Sequence, residues 1–193
     1  MPTTVHVVSE LQAVKDYASG SRARATFDHS HWEIHQGNSY TTEYDDSSMG
    51  ANDYFAIGFQ TSGSGEVHML VDFASKAEAT VDIIEDAFWS GGQTGIQVDI
   101  KNRNRQSSNV SSVLTDWRET GVFEASGNVH VGMSGLVGTT LRQIHGYGPR
   151  QAGNVLRGDN EFILQTGTKY AVKLTAVVAS NAGSLALNWY EES

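Results

Sequence analysis

The sequence predicts an all-β protein, a β-sandwich or barrel of about ten short strands. Alternation of apolar and polar residues is typical of half-buried strands, and residues 170–178 (YAVKLTAVV) have apolar residues at every second position. Clusters of Gly, Ser and Asn separate such segments, as expected for turns. The chain holds 20 Gly and only 2 Pro, and 18% of its residues are charged. This composition favours short strands joined by many turns.

Length, charge and residue usage limit the class of protein. A chain of 193 residues suits one domain, which we expect over residues 25–193 behind an N-terminal arm, residues 1–24. Cysteine is absent, so neither a disulfide nor a thiolate metal site can form, and no cofactor is expected. The net charge of −9 opposes nucleic acid and anionic membranes as partners. We expect neither a membrane span nor a signal peptide, because long apolar runs and a basic leader are missing.

The N-terminal arm is expected to contain the one helix of the chain. Ser9 is a suitable helix cap, and Gln12 could close a capping box with it. Apolar residues then follow at helical spacing as far as Gly20, which favours a helix end. We therefore predict a short helix over residues 10–19.

The rest of the chain is predicted to consist of strands and turns. The dipeptides Gly37-Asn38 and Gly127-Asn128 are typical of turns, and the second indicates a hairpin. Loops are expected over residues 45–53, 62–65, 146–158 and 180–183. Strands are expected over residues 27–35, 40–44, 54–61, 67–73, 80–86, 96–101, 122–125, 129–133, 161–165, 170–178 and 185–189.

The segment from residue 96 to residue 113 combines a strand pattern with a polar loop. The loop, NRNRQSSN at 102–109, is rich in hydrogen-bond donors. Arg binds carboxylates and carbonyls through a planar, two-pronged guanidinium. Arg103 and Arg105 either fasten the loop to its own sheet or contact another subunit. Nucleic-acid binding is a third alternative, which the acidic charge of the chain opposes.

Residues 29–35 (HSHWEIH) form a second distinctive pattern. On a strand, alternate residues share a face, so the three His and Glu33 would lie on one side and Trp32 on the other. Two His on one face can bind the same ion, which makes His29 and His31 candidate metal ligands. The alternative is a solvated polar face opposite a buried one. We prefer that alternative and expect no metal.

No residue pattern predicts catalysis. Asp82, Glu85 and Asp86 form a carboxylate cluster that could serve acid–base chemistry, but strand ends in an acidic chain collect such residues. A Gly-x-Ser-x-Gly motif, a phosphate loop and a zinc-protease helix are all missing from the sequence. We therefore predict a protein that is not an enzyme and has no catalytic residue.

Several segments between residues 37 and 191 carry a resemblance to a known family. They are GNSYTTEY at 37–44, VHMLV at 67–71, NRNRQSS at 102–108, EFILQ at 161–165, GTKY at 167–170 and LNWYE at 187–191. In this order they resemble tailed-bacteriophage virion proteins described as capsid decoration or auxiliary head proteins. Residues 1–36 lie outside the resemblance, and none of the segments is a catalytic motif.

The resemblance implies a jelly-roll-like antiparallel β-sandwich on the outer surface of a phage head. There the chain would bind the major capsid protein, stabilise the shell and assemble with copies of itself, with a homotrimer as the expected oligomer. The residues expected at these interfaces are Arg103, Arg105, Arg150, Arg157, Trp32 and Trp117. The alternative is a glycan-binding jelly-roll module of a head fibre or tail, in which exposed Trp89 or Trp117 would stack on sugars.

Overall fold

Two antiparallel sheets packed face to face form the body of the protein. The computed structural model describes residues 12–13, 25–26, 29–63, 65–89, 96–113, 128–132, 134–147 and 161–192. Within these residues one sheet has six strands, the other has five, and two further short strands pair with each other. One short helix accompanies them in this part of the chain. The predicted antiparallel β-sandwich is therefore confirmed.

Consecutive strands alternate between the two sheets from β3 to β6 and again from β10 to β13. The six-stranded sheet has the order β10-β6-β12-β4-β9-β7, and the five-stranded sheet has the order β11-β5-β13-β3-β8. The bounds are β1 Gln12–Ala13, β2 Ala25–Thr26, α1 His29–Gln36, β3 Ser39–Met49, β4 Tyr54–Gln60, β5 Glu66–Ser75, β6 Glu78–Trp89, β7 Ile96–Asp99, β8 Lys101–Asn102, β9 Asn128–Gly132, β10 Leu136–Tyr147, β11 Phe162–Leu164, β12 Lys169–Ala176 and β13 Asn181–Glu192.

The core lies between the two sheets and is built from every second residue of their central strands. Leu174 of β12 and Leu185 and Leu187 of β13 are fully buried, and each contributes roughly 1.5–3 kcal/mol by leaving water. Aromatic pairs fill the wider parts of this space: Tyr40 packs on Trp189 with ring centroids 5.9 Å apart. The alternation that predicted these strands is thus the alternation between core and outer face.

The segment from residue 96 to residue 113, which was predicted as a strand followed by a polar loop, crosses from one sheet to the other. β7 ends at Asp99 in the six-stranded sheet, and β8 begins at Lys101 in the five-stranded sheet. Ile100 between them packs against the core. The Thr42 hydroxyl donates a hydrogen bond of 3.1 Å to the carbonyl of Asp99, which holds the crossing against β3. The following loop therefore starts from a fixed position at the edge of the five-stranded sheet.

The strand predicted over residues 27–35 is wrong, because residues 29–36 form helix α1. The helix ends in a Schellman motif: Gly37 N–H donates to the carbonyl of Ile34 at 3.1 Å, and Asn38 N–H donates to that of Glu33 at 2.9 Å. Gly37 has a φ of +79°, the left-handed conformation that this motif requires. Gly37-Asn38 is therefore a helix C-cap, where the sequence predicted a turn between strands.

The helix predicted over residues 10–19 is wrong where the structure describes it. Gln12 and Ala13 form β1, which pairs with Thr26 and Ala25 of β2 in antiparallel register. The other residues of that range lie outside the described part of the chain. The backbone N–H and C=O groups of β1 pair with those of β2. The helical spacing of apolar residues in residues 10–19 gives no information about such pairing with a distant strand.

Three predicted loops are shortened by longer strands. β3 continues through Met49, β10 continues through Tyr147 and β13 begins at Asn181, where loops were predicted over 45–53, 146–158 and 180–183. Of the predicted hairpin over 122–133, β9 confirms the second strand, which pairs with β4 and β7, while residues 122–127 lie outside the described residues. The predicted strands of the core, β4, β5, β6, β12 and β13, are confirmed.

Tyr170 makes the stability of the sandwich sensitive to alkaline pH. Burial, together with the hydrogen bond that its hydroxyl donates to Glu85 at 2.8 Å, raises the pKa of Tyr170 to about 12 from the ordinary value of 10.0. A folded-state pKa raised above the unfolded one contributes stability below pH 10, and this contribution is lost as the pH rises from 10 to 12. We expect urea unfolding to show a loss of about 2 kcal/mol from this group across that window.

The variant Tyr170→Phe isolates this contribution. Its unfolding free energy should fall less steeply with pH between 10 and 12 than that of the wild type, although it loses the bond to Glu85 at every pH. An unchanged slope would contradict the assignment of the alkaline loss to Tyr170.

Candidate functional site

His68 lies at the end of the five-stranded sheet in a group of carboxylates. Glu66 and His68 are two residues apart on β5 and share its outer face. On the neighbouring β13, Glu192 is the register partner of Glu66, and Tyr190 is the partner of His68. The sheet register thus brings these four side chains together, and we call them, with Glu161, the His68 cluster.

The imidazole of His68 is buried between the carboxylates. Its Nε2 atom lies 3.5 Å from Oε2 of Glu66 and 3.8 Å from Oε1 of Glu192, and its Nδ1 atom lies 3.6 Å from Oε1 of Glu161. The residue is 9% exposed, and Nε2 has no hydrogen-bond partner among the residues that the structure describes. The ring stacks on Tyr190, with centroids 4.6 Å apart and planes inclined by 11°. Stacking fixes the ring plane, so Nε2 points at the two carboxylates.

Helix α1 adds His29 to the same end of the sheet. Nδ1 of His29 lies 3.6 Å from Oε1 of Glu192, and Nε2 lies 3.6 Å from Oε1 of Glu33 one helical turn away. The imidazole also meets the ring of Tyr190 edge-on, with centroids 5.5 Å apart. His29 therefore borders the His68 cluster from the helix side.

The structure separates the two predicted metal candidates. His31 lies on the exposed side of α1, where its Nε2 atom is 3.1 Å from Nε2 of His35. His29 instead faces β13 and Glu192. The prediction that the three His share one face assumed a strand, and the helical spacing of α1 overturns it.

An open cleft of about 550 Å³ adjoins the cluster. Its lining consists of Asn38, Tyr40, Gly65, Glu66, Asn109, Val110, Ser112, Glu191 and Glu192. Glu66 and Glu192 thus belong both to the cleft wall and to the His68 cluster. Burial raises the pKa of Tyr40 to about 12, and the charge of Glu191 adds to this rise. Apart from Gly65 and Val110, the lining residues bear carboxylates, amides and hydroxyls, which suits a cation or a polar ligand.

Glu191 holds the chain that forms the far wall of the cleft. Its carboxylate accepts hydrogen bonds from the Ser111 hydroxyl at 2.5 Å, from the Ser112 backbone N–H at 2.9 Å and from the Trp189 indole N–H at 3.0 Å. These donors use both oxygens of the group. Glu191 therefore has a structural role, in contrast to its neighbour Glu192.

Arg103 fastens its loop to its own sheet, as one of the sequence alternatives predicts. Its backbone N–H donates to the carbonyl of Ser39 at 2.9 Å, and Nη1 donates to the Ser39 hydroxyl at 3.4 Å. Burial raises the pKa of Asp72, whereas the Asn188 hydrogen bond and the positive charge of Arg103 act in the opposite direction. Arg103 therefore lies over the outer face of the five-stranded sheet and compensates a half-buried carboxylate there.

The other predicted interface residues are scattered or lie outside the described residues. Arg105 is exposed on the same loop, and Trp32 is half-buried on α1. Arg150, Arg157 and Trp117 fall outside the described part of the chain. Neither Arg105 nor Trp32 takes part in the His68 cluster, so these two predicted interface residues and the cluster are different features.

The surroundings of Trp89 and of the Asp82, Glu85 and Asp86 group differ from those that the sequence hypotheses require. Trp89 is 5% exposed and packs with Ala56, Ile84, Ala87 and Ala171, so it offers no platform for a sugar. The carboxylate cluster Asp82, Glu85 and Asp86 is divided: Asp82 binds Lys173 at 2.8 Å, Glu85 binds Tyr170, and Asp86 is exposed. These carboxylates therefore form no common acid–base pair.

Glu66, His68 and Glu192 were not among the site residues predicted from the sequence. Alternation over 66–73 placed Glu66 and His68 on the face opposite Val67 and Met69, which was a usable signal. The pairing of β5 with β13 was not readable, because nothing local fixes the register of strands so distant in sequence.

No family model, curated protein or solved structure matches this chain, so the resemblance to capsid decoration proteins stays a hypothesis. Within the described residues, no helix has the length and the apolar character needed to span a bilayer.

Proposed function

We propose that this protein is a structural component of a bacteriophage virion, a decoration or cement protein that binds the outer surface of the head and stabilises it as a homotrimer. The proposal is supported by the resemblance of residues 37–191 and by a β-sandwich body with an exposed apolar edge. Binding the major capsid protein through several weak contacts at once would give such a trimer a high effective affinity.

The observation that carries the proposal is the exposure of β10. This strand of 12 residues ends the six-stranded sheet, where it pairs with β6 alone among the described strands. Three large apolar side chains along β10 and its neighbour β6 are exposed, and we call them the β10 strip: Phe88 at 41%, Val137 at 54% and Leu141 at 44%. A long edge with such side chains is a surface that natural proteins normally cover.

The geometry of β10 favours side-chain packing over the addition of another strand. Its register with β6 shifts between Val137 and Thr139 and again between Thr140 and Arg142. Such bulges interrupt the regular row of N–H and C=O groups that an added strand would need. Phe88 and Val137 are direct register partners, so their side chains form a common apolar surface. A neighbouring copy of the chain is the proposed occupant of this surface.

Co-sedimentation with phage heads that lack the protein tests the proposal. The wild type should bind saturably, at a fixed ratio to the major capsid protein. Leu141→Lys places a charge within the β10 strip and should weaken binding at least about tenfold, since burying an unpaired charge costs more than the 1.4 kcal/mol that corresponds to that factor. Val178→Lys is the matched control, because Val178 is 41% exposed in the β12–β13 turn, and it should bind like the wild type.

Arg105→Ala in the same assay tests the interface predicted from the sequence. Arg105 is exposed, and its removal should weaken binding if the loop contacts the capsid.

Absence of binding by the wild type would overturn the proposal, and retention of the protein on a glycan array would then favour the fibre or tail module. If Leu141→Lys and Val178→Lys lose the same amount of binding to phage heads, the β10 strip has no specific role in binding.

A further inference from the structure

We propose that Glu66, His68 and Glu192 bind one divalent transition-metal ion of the zinc class, with Glu161 orienting the imidazole. Donor atoms of the three ligands all lie within 4.8 Å of one another. This site goes beyond the proposed function and does not depend on it. It lies on the five-stranded sheet, whereas the β10 strip belongs to the other sheet.

The spacing of the donor atoms fits a single ion between them. Zinc binds imidazole nitrogen and carboxylate oxygen at about 2.0–2.2 Å, so neighbouring ligand atoms at tetrahedral angles are about 3.4 Å apart. In the structure, Nε2 of His68 is 3.5 Å from Oε2 of Glu66 and 3.8 Å from Oε1 of Glu192. Small side-chain rotations of the exposed Glu66 and the half-buried Glu192 would therefore complete the coordination.

The same spacing is too long for direct hydrogen bonds. A charge-assisted N–H···O bond has a length of about 2.7–2.9 Å, which is well below both distances from Nε2. Nε2 of His68 is buried, and no described residue is its hydrogen-bond partner. A buried polar atom of this kind needs a partner, and an ion placed between Nε2 and the two carboxylates supplies one.

The arrangement of charges also favours a bound cation at this site. Glu66 and Glu192 are direct register partners on neighbouring antiparallel strands, where like charges destabilise the sheet. Glu161 brings a third carboxylate to the ring of His68, and His29 approaches Glu192 from α1. A divalent cation would offset the repulsion between Glu66 and Glu192.

The second nitrogen of His68 has the environment typical of a metal-bound imidazole. Nδ1 faces Oε1 of Glu161 at 3.6 Å, and the ring is held by stacking on Tyr190. The Glu161 side chain must therefore approach the ring by somewhat less than about 1 Å to accept a hydrogen bond from it. Metal-ligating His commonly direct their other ring nitrogen at a carboxylate, which selects the tautomer with a lone pair toward the metal. Glu161 is thus a positioning residue rather than a ligand.

The ligand set selects the class of ion. One imidazole with two carboxylates suits zinc and its first-row neighbours, whereas calcium and magnesium prefer oxygen ligands alone. Three protein ligands leave a coordination position open, and Glu66 and Glu192 also line the cleft. The open position would therefore face the cleft.

Zinc retention by the full chain tests the site. After dialysis against zinc and then against metal-free buffer, the wild type should hold one zinc per chain by plasma mass spectrometry. Isothermal titration should show at least about tenfold weaker binding for Glu161→Gln, the range expected when a partner of a ligating His is lost. Glu192→Gln and His68→Gln should retain no zinc. X-ray absorption of the wild-type complex should show one nitrogen among oxygen ligands.

The control variant is His31→Gln, which removes the exposed His31–His35 pair and should retain zinc like the wild type. Since His68 is buried and its replacement could impair folding, Glu192→Gln at the half-buried end of β13 provides the second test, with circular dichroism as the folding check. Absence of zinc in the wild type, unchanged retention in Glu192→Gln, or loss of zinc in His31→Gln would each overturn the site.

Discussion

Replacing Lys173 with Met is expected to lower the free energy of unfolding by about 3 kcal/mol. Nζ of Lys173 binds Oδ2 of Asp82 at 2.8 Å, and the Asp82 side chain is only 6% exposed. Without Lys173, a buried carboxylate loses its countercharge, which typically costs about 3–5 kcal/mol. The lower end of that range applies, because Gln143 still donates a hydrogen bond of 2.6 Å to Oδ1 of Asp82.

The double variant Lys173→Met, Asp82→Leu distinguishes two quantities. One is the cost of leaving the Asp82 carboxylate without its countercharge, and the other is the net contribution of the ion pair to stability. Replacing both charges by apolar groups of similar size removes the unpaired carboxylate, so stability should return to within about 1 kcal/mol of the wild type. Urea unfolding of the wild type, Lys173→Met, Asp82→Leu and the double variant forms a double-mutant cycle. A double variant as unstable as the single one would contradict the explanation.

Replacing Gly37 with Ala should lower the unfolding free energy by about 3 kcal/mol. Its φ of +79° disfavours any side chain by about 1–2 kcal/mol. An added Cβ would also lie within 2.6 Å of Cβ of Ser107, in the loop that packs against the end of α1. Overpacking of this kind typically costs a further 1–3 kcal/mol or so.

Gly167→Ala is the matched control for this change. Gly167 has a similar φ of +68°, but a Cβ there would meet nothing within 4 Å. The control should therefore lose only about 1 kcal/mol, from backbone strain. Thermal or urea unfolding of both variants gives the comparison. Equal losses of unfolding free energy would show that the overlap between the added Cβ at position 37 and Ser107 does not affect stability.

Elements with a strong local pattern were predictable from the sequence. β12 and β13 each place an apolar residue at every second position, and burial follows that alternation. Helix α1 was missed because its eight residues carry only Trp32 and Ile34 as large apolar side chains, so no helical stripe was visible. The decisive signal was Gly37, whose role as a helix cap depends on a backbone conformation rather than on hydrophobic pattern.

The candidate site was less predictable than the fold. His29 and His31 were noticed because they are close in sequence, yet α1 directs them to different surroundings. His68 and Glu192 meet only through the register of β5 with β13, which the sequence does not encode locally. The exposure of β10 likewise depends on its place at the end of a sheet, and strand order follows from the whole topology.

The mass of the chain in solution tests most directly whether it assembles through the β10 strip. One chain has a mass of 20.9 kDa, and we expect light scattering of the wild type at micromolar concentration to give three times that value. Leu141→Lys should give the mass of one chain, with an unchanged circular dichroism spectrum. A wild type with the mass of a single chain, or a Leu141→Lys variant that remains a trimer, would contradict assembly through this edge.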